Sequence, residues 1–243
     1  MNLSVDERES GAASTVRAAY ARRTRLYDPL DPVVLLSRQE LERVVARLLR
    51  SSAPKTEQGL RVLEVGCGTG GNLLMLLRLG IQPGNLVGNE LLPDRLAAAR
   101  ARLPAVVKLI GGDASCIEVS GPPYDIVFQP MVFSSILDET VQRDLAGRMW
   151  NLIRPGGAVL WYDFTFDNPA NPDVCGISLK AVRGLFPGAR IRKWRVTLAP
   201  PLARIVARVH PALYSLFNVA PFLRTHVVCW IEKPMADVTR SGS

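Results

Sequence analysis

The residues of this sequence with the clearest chemical meaning form a glycine-rich turn directly after an apolar segment. Residues 61–65 predict a buried strand, and Gly66, Gly68 and Gly70 follow it, with Glu64 just before the first glycine. Glycine has no Cβ, so the backbone turns tightly at these positions and a ligand can approach it closely. Nucleotide and dinucleotide sites use loops of this kind, and the pattern predicts such a site.

Two acidic residues follow at distances that fit the same site. Glu90 ends the second predicted strand, 20 residues after Gly70, where a carboxylate accepts hydrogen bonds from both hydroxyls of a ribose. Asp113 ends the third predicted strand, where a carboxylate accepts one from an adenine amino group. Open α/β sheets bind ligands at the carboxyl ends of their strands, which is where these acids lie. Chance placement of glycines and acids in turns explains the whole set poorly.

The elements that must position these residues alternate between strand and helix. Seven strands are predicted, at 61–65, 85–90, 106–110, 124–129, 158–164, 189–198 and 226–232. Helices are predicted at 73–79, 93–103 and 138–153, and a loop at 165–180. This alternation favours a parallel-type sheet that is covered on both faces.

A helix is also predicted before the first strand. Ser37 and Glu40 have the spacing of a capping box at its start. Apolar residues then recur at helical spacing on one face, at Leu41, Val44, Val45, Leu48 and Leu49.

A second addition, the insert 200–224, separates the last two predicted strands. Arg204 and Arg208 lie on one side of its first helical stretch, and a different face carries Leu202, Ile205, Val206 and Val209. Two interpretations are open. The insert packs as a helix on the sheet edge, or it forms an acceptor lid or a membrane-touching helix.

The constellation resembles the class I S-adenosylmethionine-dependent methyltransferases over residues 58–165. Glu64-x-Gly66-x-Gly68-x-Gly70 is similar to the first motif of the family, which binds the methionine part of the cofactor. Glu90 matches the ribose acid, and Asp113 with Ala114 matches the adenine side. Further matches are Tyr124-Asp125-Ile126-Val127 on the fourth strand and the turn Arg154-Pro155-Gly156-Gly157 before the fifth. A dehydrogenase fits less well, because the loop lacks G-x-G-x-x-G spacing.

The resemblance implies S-adenosyl-L-methionine as the cofactor and a Rossmann-like α/β fold. The sheet should be seven-stranded and mostly parallel, with a reversed last hairpin, helices on both faces, an N-terminal helical cover and a helical insert before the last strand. The implied domains are the cover, 1–56, and the cofactor-binding methyltransferase domain, 57–235, with 200–224 as its insert or lid. The expected cofactor contacts are Glu64, Gly66, Cys67, Gly68, Gly70, Asn72, Glu90, Leu91, Asp113, Ala114 and Gln129.

Methyl transfer from a sulfonium is an in-line displacement, and a hydroxyl nucleophile also needs a base to take its proton. The predicted catalytic residues are Asp163, at the end of the fifth strand, and His226, at the start of the last. Each has a structural alternative, such as a strand-end cap for Asp163. Because no paired acid with a histidine marks a metal site, no metal is predicted.

The acceptor is less constrained than the cofactor. After the fourth strand, an Asn-Pro-Pro-Tyr or Asp-Pro-Pro-Tyr motif would indicate amino-group methylation in nucleic acids or glutamine. The sequence has Gln129-Pro130-Met131 there, so this class of reaction is disfavoured. Ten Lys/Arg and one acid lie between Lys180 and Lys233, whereas the rest of the chain has 20 basic and 21 acidic residues. This distribution is either an ordinary soluble surface or the mark of an anionic acceptor, a nucleic acid or an acidic membrane surface.

These observations predict O-methylation of a small-molecule, natural-product or glycan acceptor that is anionic or lipid-linked. The alternatives are an RNA methyltransferase and a non-catalytic cofactor-binding regulator. Nucleic acid is disfavoured because no basic tract is interleaved with aromatic residues. Without an apolar segment near Met1 or an uncharged run of 18 apolar residues, a cytoplasmic protein with at most peripheral membrane contact is expected. The acceptor cover should include Tyr20, Arg22, Arg23 and Tyr27.

Overall fold

The sheet of this protein has seven strands. The structure, a computed structural model, describes residues 28, 30–53, 59–117, 121–167 and 171–235. The strands are β1 (Val62–Val65), β2 (Leu86–Glu90), β3 (Lys108–Gly111), β4 (Tyr124–Pro130), β5 (Ile153–Phe164), β6 (Arg190–Leu198) and β7 (Arg224–Glu232). Their order is β3-β2-β1-β4-β5-β7-β6, and β7 is antiparallel to both of its neighbours. The predicted Rossmann-like sheet with a reversed last hairpin is confirmed.

The direction of β6 decides where the insert lies. Because β7 runs antiparallel to both β5 and β6, strand β6 runs parallel to β1–β5. Its carboxyl end, Leu198, therefore lies at the same edge of the sheet as the glycine loop. The insert that starts at Pro200 leaves from that edge, which we call the carboxyl edge.

Seven helices occur in the described residues, and they cover both faces of the sheet. They are α1 (Pro32–Ser51), α2 (Gly71–Arg78), α3 (Pro93–Arg102), α4 (Glu139–Leu152), α5 (Leu179–Leu185), α6 (Pro200–Val209) and α7 (Pro211–Phe217). Buried residues of α1, α2 and α3 share one core cluster, while α4 and α5 contribute to a second cluster on the other face. Short 3₁₀ helices occur at Pro83–Asn85, Phe133–Ser135 and Pro221–Leu223.

The predicted capping box at Ser37 and Glu40 is wrong, because the N-cap of helix α1 lies six residues before Ser37. Asp31 is the N-cap, and its Oδ1 accepts a hydrogen bond from Val33 N at 2.7 Å. Pro32 follows at the first helical position, where its missing N–H has no consequence. Ser37 lies within the helix and donates its hydroxyl proton to Val33 O. The predicted apolar face is confirmed, since Leu41, Val45 and Leu48 are buried and Val44 and Leu49 pack against the same core.

The predicted loop 165–180 ends in helix α5, a helix that the sequence pattern did not predict. Ser178 is its N-cap and accepts a hydrogen bond from Ala181 N at 3.1 Å. With only seven residues, this helix shows too few turns for a periodic signal.

The segment 154–157, predicted as a turn before the fifth strand, lies within β5 and is tied to β4 by an ion pair. Arg154 Nε donates to Asp125 Oδ1 at 2.5 Å, and Asp125 Oδ2 accepts from Arg61 N at 2.7 Å. Asp125 thus links the starts of three neighbouring strands. No helix in the described part of the chain is both long and apolar enough to cross a membrane.

Candidate active site

The glycine loop after β1 is closely covered by two other segments. Gly66 and Gly68 have φ angles of +69° and +58°, a backbone region that favours glycine. A Cβ on Gly66 would lie 2.6 Å from Val132 Cγ2, and one on Gly68 would lie 2.5 Å from Arg95 Nη2. The loop after β4 and helix α3 therefore both lie against this turn, and larger residues in the turn would displace them.

Glu64 is fully buried beside the glycine loop. Its Oε1 accepts a hydrogen bond from Asn72 Nδ2 at 2.9 Å, and its Oε2 has no partner among the residues that the structure describes. Burial, helped by the nearby charge of Glu90, raises the pKa of Glu64 to about 8 against the lowering effects of the Asn72 hydrogen bond and the Arg95 charge. A buried carboxyl oxygen without a partner is costly unless a ligand donates to it.

Glu90 holds the glycine loop against the end of β2. Its Oε2 accepts from Gly68 N at 2.8 Å and its Oε1 from Leu92 N at 2.9 Å. Each oxygen has a second lone pair, so the carboxylate can still accept hydrogen bonds from a ligand. Leu91, between Glu90 and Leu92 in the chain, is half-buried at the start of the turn into α3.

Asp113 stands in the turn after β3. Its Oδ1 accepts from both the backbone N–H and the hydroxyl of Ser115, each at 2.8 Å. Asn89, which no sequence pattern indicated, donates from its side chain to Gly112 O at 2.8 Å and so fixes this turn to β2. Ala114 packs against the core on the α4 face.

The segment after β4 has a strained backbone. Met131 has a φ of +62°, rare for a residue with a side chain, and its N–H donates to Tyr162 O at 2.7 Å. Such strain persists only where the surroundings enforce it, and it concentrates at functional sites. Gln129, fully buried, accepts from Val132 N at 3.2 Å, while its Nε2 has no partner among the described residues.

The predicted cofactor fits this arrangement. Glu64 and Gln129 lie at the carboxyl ends of the neighbouring strands β1 and β4. Because Glu64 pairs with Phe128, the residue before Gln129, the two side chains point to opposite faces of the sheet and approach the carboxyl edge from its two sides. One leaves a buried acceptor oxygen unpaired and the other a buried donor nitrogen. A ligand bound across this edge between β1 and β4, with both a cationic donor and an acceptor oxygen as in the amino-acid part of S-adenosylmethionine, would provide a partner for each. Cys67 lines the loop as a neutral thiol, because burial raises its pKa.

The two predicted catalytic residues are not brought together. Phe164 pairs with His226 and Asp163 with Val227 across the antiparallel β5–β7 ladder. Residues paired in this way share a face, and neighbours along a strand alternate. Asp163 and His226 therefore point to opposite faces of the sheet.

Asp163 is fully buried and holds the segment after β4. Its Oδ2 accepts from Ser134 N at 3.1 Å and its Oδ1 from Phe164 N at 3.0 Å. Burial raises its pKa to about 7. The carboxylate thus fixes the 3₁₀ turn Phe133–Ser135, which follows the strained Met131.

His226 lies in an aromatic environment on the other face. Its ring stacks on Tyr162 with 5.4 Å between the ring centroids, and its Nδ1 is 3.0 Å from Thr225 Oγ1. Burial lowers its pKa to about 4, so the ring is neutral at pH 7.

A hydrogen-bond network joins α1 to the insert beside this histidine. Glu40 Oε2 accepts from Thr197 N at 2.9 Å and from the Tyr214 hydroxyl at 3.3 Å. Thr197 has a φ of +64°, and its Oγ1 is 3.1 Å from the Tyr162 hydroxyl. The predicted N-terminal part of the cover, Tyr20 to Tyr27, lies outside the described residues.

The part of the chain that carries the glycine loop matches known proteins. Residues 62–157 match the family model of a methyltransferase domain. The chain is 33% identical over 138 residues to a fatty-acid O-methyltransferase of Mycolicibacterium smegmatis, an overlap of 56% of this chain and 49% of the relative. It is 29% identical over 119 residues to a tRNA N(3)-cytidine methyltransferase of Gallus gallus, 46% of this chain and 32% of the relative. The chain thus spans half or less of the length of these curated relatives.

The solved structures agree in fold. The phosphoethanolamine N-methyltransferase 2 of Haemonchus contortus, in complex with S-adenosyl-L-methionine, superposes with a TM-score of 0.57 at 20% identity, covering 79% of this chain and 52% of the other. At this identity the likeness concerns the fold, and the reaction has to be argued from the site.

Proposed function

We propose that this chain, which carries a class I S-adenosylmethionine-dependent methyltransferase domain, transfers the methyl group of that cofactor to an oxygen of a small anionic acceptor. The observation that carries the proposal is the pair of unpartnered buried atoms, Glu64 Oε2 and Gln129 Nε2, beside the glycine loop. When bound, the cofactor supplies an electrophilic methyl group on its sulfonium. The residues proposed to hold it are Glu64, Gly66, Cys67, Gly68, Gly70, Asn72, Glu90, Leu91, Asp113, Ala114 and Gln129.

Titration calorimetry tests the cofactor. S-adenosylmethionine and S-adenosylhomocysteine should bind, and a nicotinamide dinucleotide should not. Glu90→Ala should weaken binding about tenfold or more, because each charge-assisted hydrogen bond contributes about 1.5–3 kcal/mol. Gly68→Arg should abolish it by filling the turn. Glu42→Ala is the matched control, since Glu42 forms only an exposed ion pair with Arg78 among its described contacts. Tighter binding of the dinucleotide would overturn the cofactor assignment.

The acceptor proposed is a carboxylate. Asp163 is fully buried with backbone partners on both oxygens, and His226 is a buried neutral ring of low pKa. Neither is exposed to take a proton from a hydroxyl in this arrangement. A carboxylic acid ionises near pH 4 to 5, so it is already a nucleophile at neutral pH and needs no base. The likeness to a fatty-acid O-methyltransferase supports the same acceptor class.

An RNA acceptor is the second candidate. It is supported by the likeness to a tRNA methyltransferase and by the basic C-terminal quarter. The experiment offers a long-chain fatty acid, a neutral sugar and total tRNA as acceptors, and measures S-adenosylhomocysteine release with mass spectrometry of the product. A fatty-acid methyl ester, cleaved by mild base, is expected. Methylated tRNA without ester would favour the second candidate, and turnover of the sugar alone would contradict both.

The domain limits belong to the same proposal. We assign 57–235 to the catalytic domain and 1–56 to a cover on its acceptor side, with the insert 200–224 as the second part of that cover. Helix α1 and the insert already meet through Glu40, Thr197 and Tyr214, and this contact supports a joint role.

A further inference from the structure

Exposed apolar side chains concentrate in the insert between β6 and β7. Thirteen large hydrophobic residues are exposed in the described part of the chain, and six of them lie within residues 205–222. These six are Ile205, Val209, Leu216, Phe217, Val219 and Phe222, with exposures between 39% for Phe217 and 82% for Phe222. We call them, together with Arg204 and Arg208, the insert face.

The insert face is separate from the side by which the insert packs on the protein. Ala203, Val206 and Tyr214 are buried in a cluster that includes Val33 and Leu36 of α1. Ile205 and Val209 are one turn apart on α6 and are 63% and 74% exposed. The apolar stripe of α6 is therefore wider than its contact with the core, and about half of it faces outward.

The charged residues of the insert itself all have one sign. Arg204 and Arg208 are exposed on α6, one turn apart. The sequence contains no Asp or Glu between Val174 and Ile231, while nine Lys and Arg lie in that range. Arg224, at the end of the insert, is held by the backbone oxygens of Asn218 and Arg195. The insert face thus combines exposed apolar side chains with exposed positive charge.

We propose that the insert face docks on an anionic phospholipid surface. The apolar side chains enter the boundary between headgroups and acyl chains, and Arg204 and Arg208 bind lipid phosphates. Surface helices that bind membranes combine these same two features. Because the insert leaves the sheet at the carboxyl edge, docking brings the lipid surface to the edge that carries the glycine loop and Asp163.

Other occupants fit the insert face less well. A symmetric contact with a second copy would bring Arg204 and Arg208 of both copies together, with no acid on the face to compensate them. An RNA would desolvate the aliphatic Ile205, Val209, Leu216 and Val219, and its bases could stack only on the rings of Phe217 and Phe222.

Vesicle sedimentation tests the proposal with the full chain. Vesicles of phosphatidylcholine mixed with phosphatidylglycerol should bind the protein, and vesicles of phosphatidylcholine alone should bind it weakly. Val209→Ser with Phe222→Ser should weaken binding to mixed vesicles about tenfold or more, because buried apolar area is lost. Arg204→Gln with Arg208→Gln should weaken it about fivefold for each arginine.

Matched controls lie on other surfaces. Val106→Ser changes a residue that is 61% exposed before β3, at the far end of the sheet. Arg100→Gln with Arg143→Gln removes two exposed charges from α3 and α4. Both controls should sediment like the unchanged protein, and all variants should keep the same melting temperature and affinity for S-adenosylhomocysteine.

Three outcomes would overturn the proposal. Equal sedimentation of insert and control variants would show that the face is not the contact. Sedimentation lost only with the arginine pair would show charge attraction alone. A vesicle-independent dimer that Phe222→Ser dissociates would assign the face to a second copy. Vesicle binding requires no acceptor, so its failure is distinct from a failure of the proposed reaction.

Discussion

The ionisation of Glu64 couples the stability of the protein to pH. Its folded-state pKa is about 8, whereas its ordinary value is 4.5. Between these pH values the folded state holds a proton that the unfolded state has released. The free energy of unfolding therefore falls as pH rises through this window, and it does not fall further above it on account of this group.

Glu64→Gln removes this dependence. The glutamine keeps the size and an oxygen acceptor for Asn72 Nδ2, but it cannot ionise. We expect the variant to match the unchanged protein near pH 4.5 and to exceed it near pH 8 by a few kcal/mol, order of magnitude, in the absence of cofactor. Urea unfolding at several pH values measures the difference. A constant difference across this range would show that Glu64 does not titrate there.

Asp163 is a test of positioning against proton transfer. In Asp163→Asn the amide nitrogen must face one of the two N–H donors, Ser134 N or Phe164 N. One buried donor then loses its acceptor, at about 1–3 kcal/mol of stability. We expect kcat to fall through the displaced turn at Ser134, while the pH profile of kcat/KM keeps its shape.

The control for this variant is Asp167→Asn. Asp167 also accepts a backbone hydrogen bond, from Gly176 N at 2.8 Å, but at an exposed position. It should change kcat little. If Asp163→Asn instead removes an ionisation near pH 7 from the profile, Asp163 acts as a base and not as a positioning residue.

Sequence position alone could not separate the roles of Asp163 and His226. Both were predicted from their places at strand ends. Asp163 is the last residue but one of β5, whereas β7 begins at Arg224, two residues before His226. Their opposite faces depend on the register in which Phe164 meets His226, and this register is set by packing between β5 and β7. Burial, which moves the two pKa values to about 7 and about 4, is likewise a property of the packed core.

At the scale of elements, Glu40 holds α1 against the carboxyl edge. Its Oε2 receives hydrogen bonds from Thr197, on β6, and Tyr214, on α7. This side chain was predicted as part of a capping box, because Ser37 stands three residues before it. The alternative start at Asp31-Pro32 is stronger, and it leaves Glu40 free to reach another element.

Glu40→Ala should destabilise the protein without weakening cofactor binding. Thr197 N loses its acceptor at a backbone that is already strained, so we expect a loss of about 1–3 kcal/mol in the free energy of unfolding. Urea unfolding measures this loss, and calorimetry with S-adenosylhomocysteine measures the binding. The control is Glu42→Ala, two residues further along α1. It should lower the free energy of unfolding by about 1 kcal/mol or less, because the ion pair of Glu42 is exposed. Equal losses in the two variants would show that the network does not hold the helix.

For the whole molecule, short-range patterns predicted the parts that depend on local physics. The glycine loop, Glu90 and the alternation of strands and helices follow from turn chemistry and periodicity, and the sheet order then follows from the family resemblance. In the insert, the sequence pattern does not predict which apolar residues are buried. Ile205 and Val206 are neighbours with the same apolar character, yet Val206 is 6% exposed and Ile205 63%. Which of them is buried depends on where α1 packs, and the sequence of the insert does not contain that information.

The arrangement of the carboxyl edge leads to a prediction about how acceptors are delivered. If the insert face binds lipid, a long-chain carboxylate that resides in an anionic vesicle reaches the site together with the surface. A short-chain carboxylate, dissolved as a monomer, reaches it from water. Phe222→Ser should therefore raise KM about tenfold for the long-chain acceptor in vesicles and leave KM for the short-chain acceptor unchanged.

Initial rates with both acceptors measure this split, and Val106→Ser serves as the control because its similarly exposed side chain lies at the other end of the sheet. The value of kcat should stay the same for all three proteins, since no residue near Asp163 or the glycine loop is changed. A rise in KM for both acceptors would place Phe222 in the acceptor site itself. No rise for either would show that the insert face takes no part in delivering the acceptor.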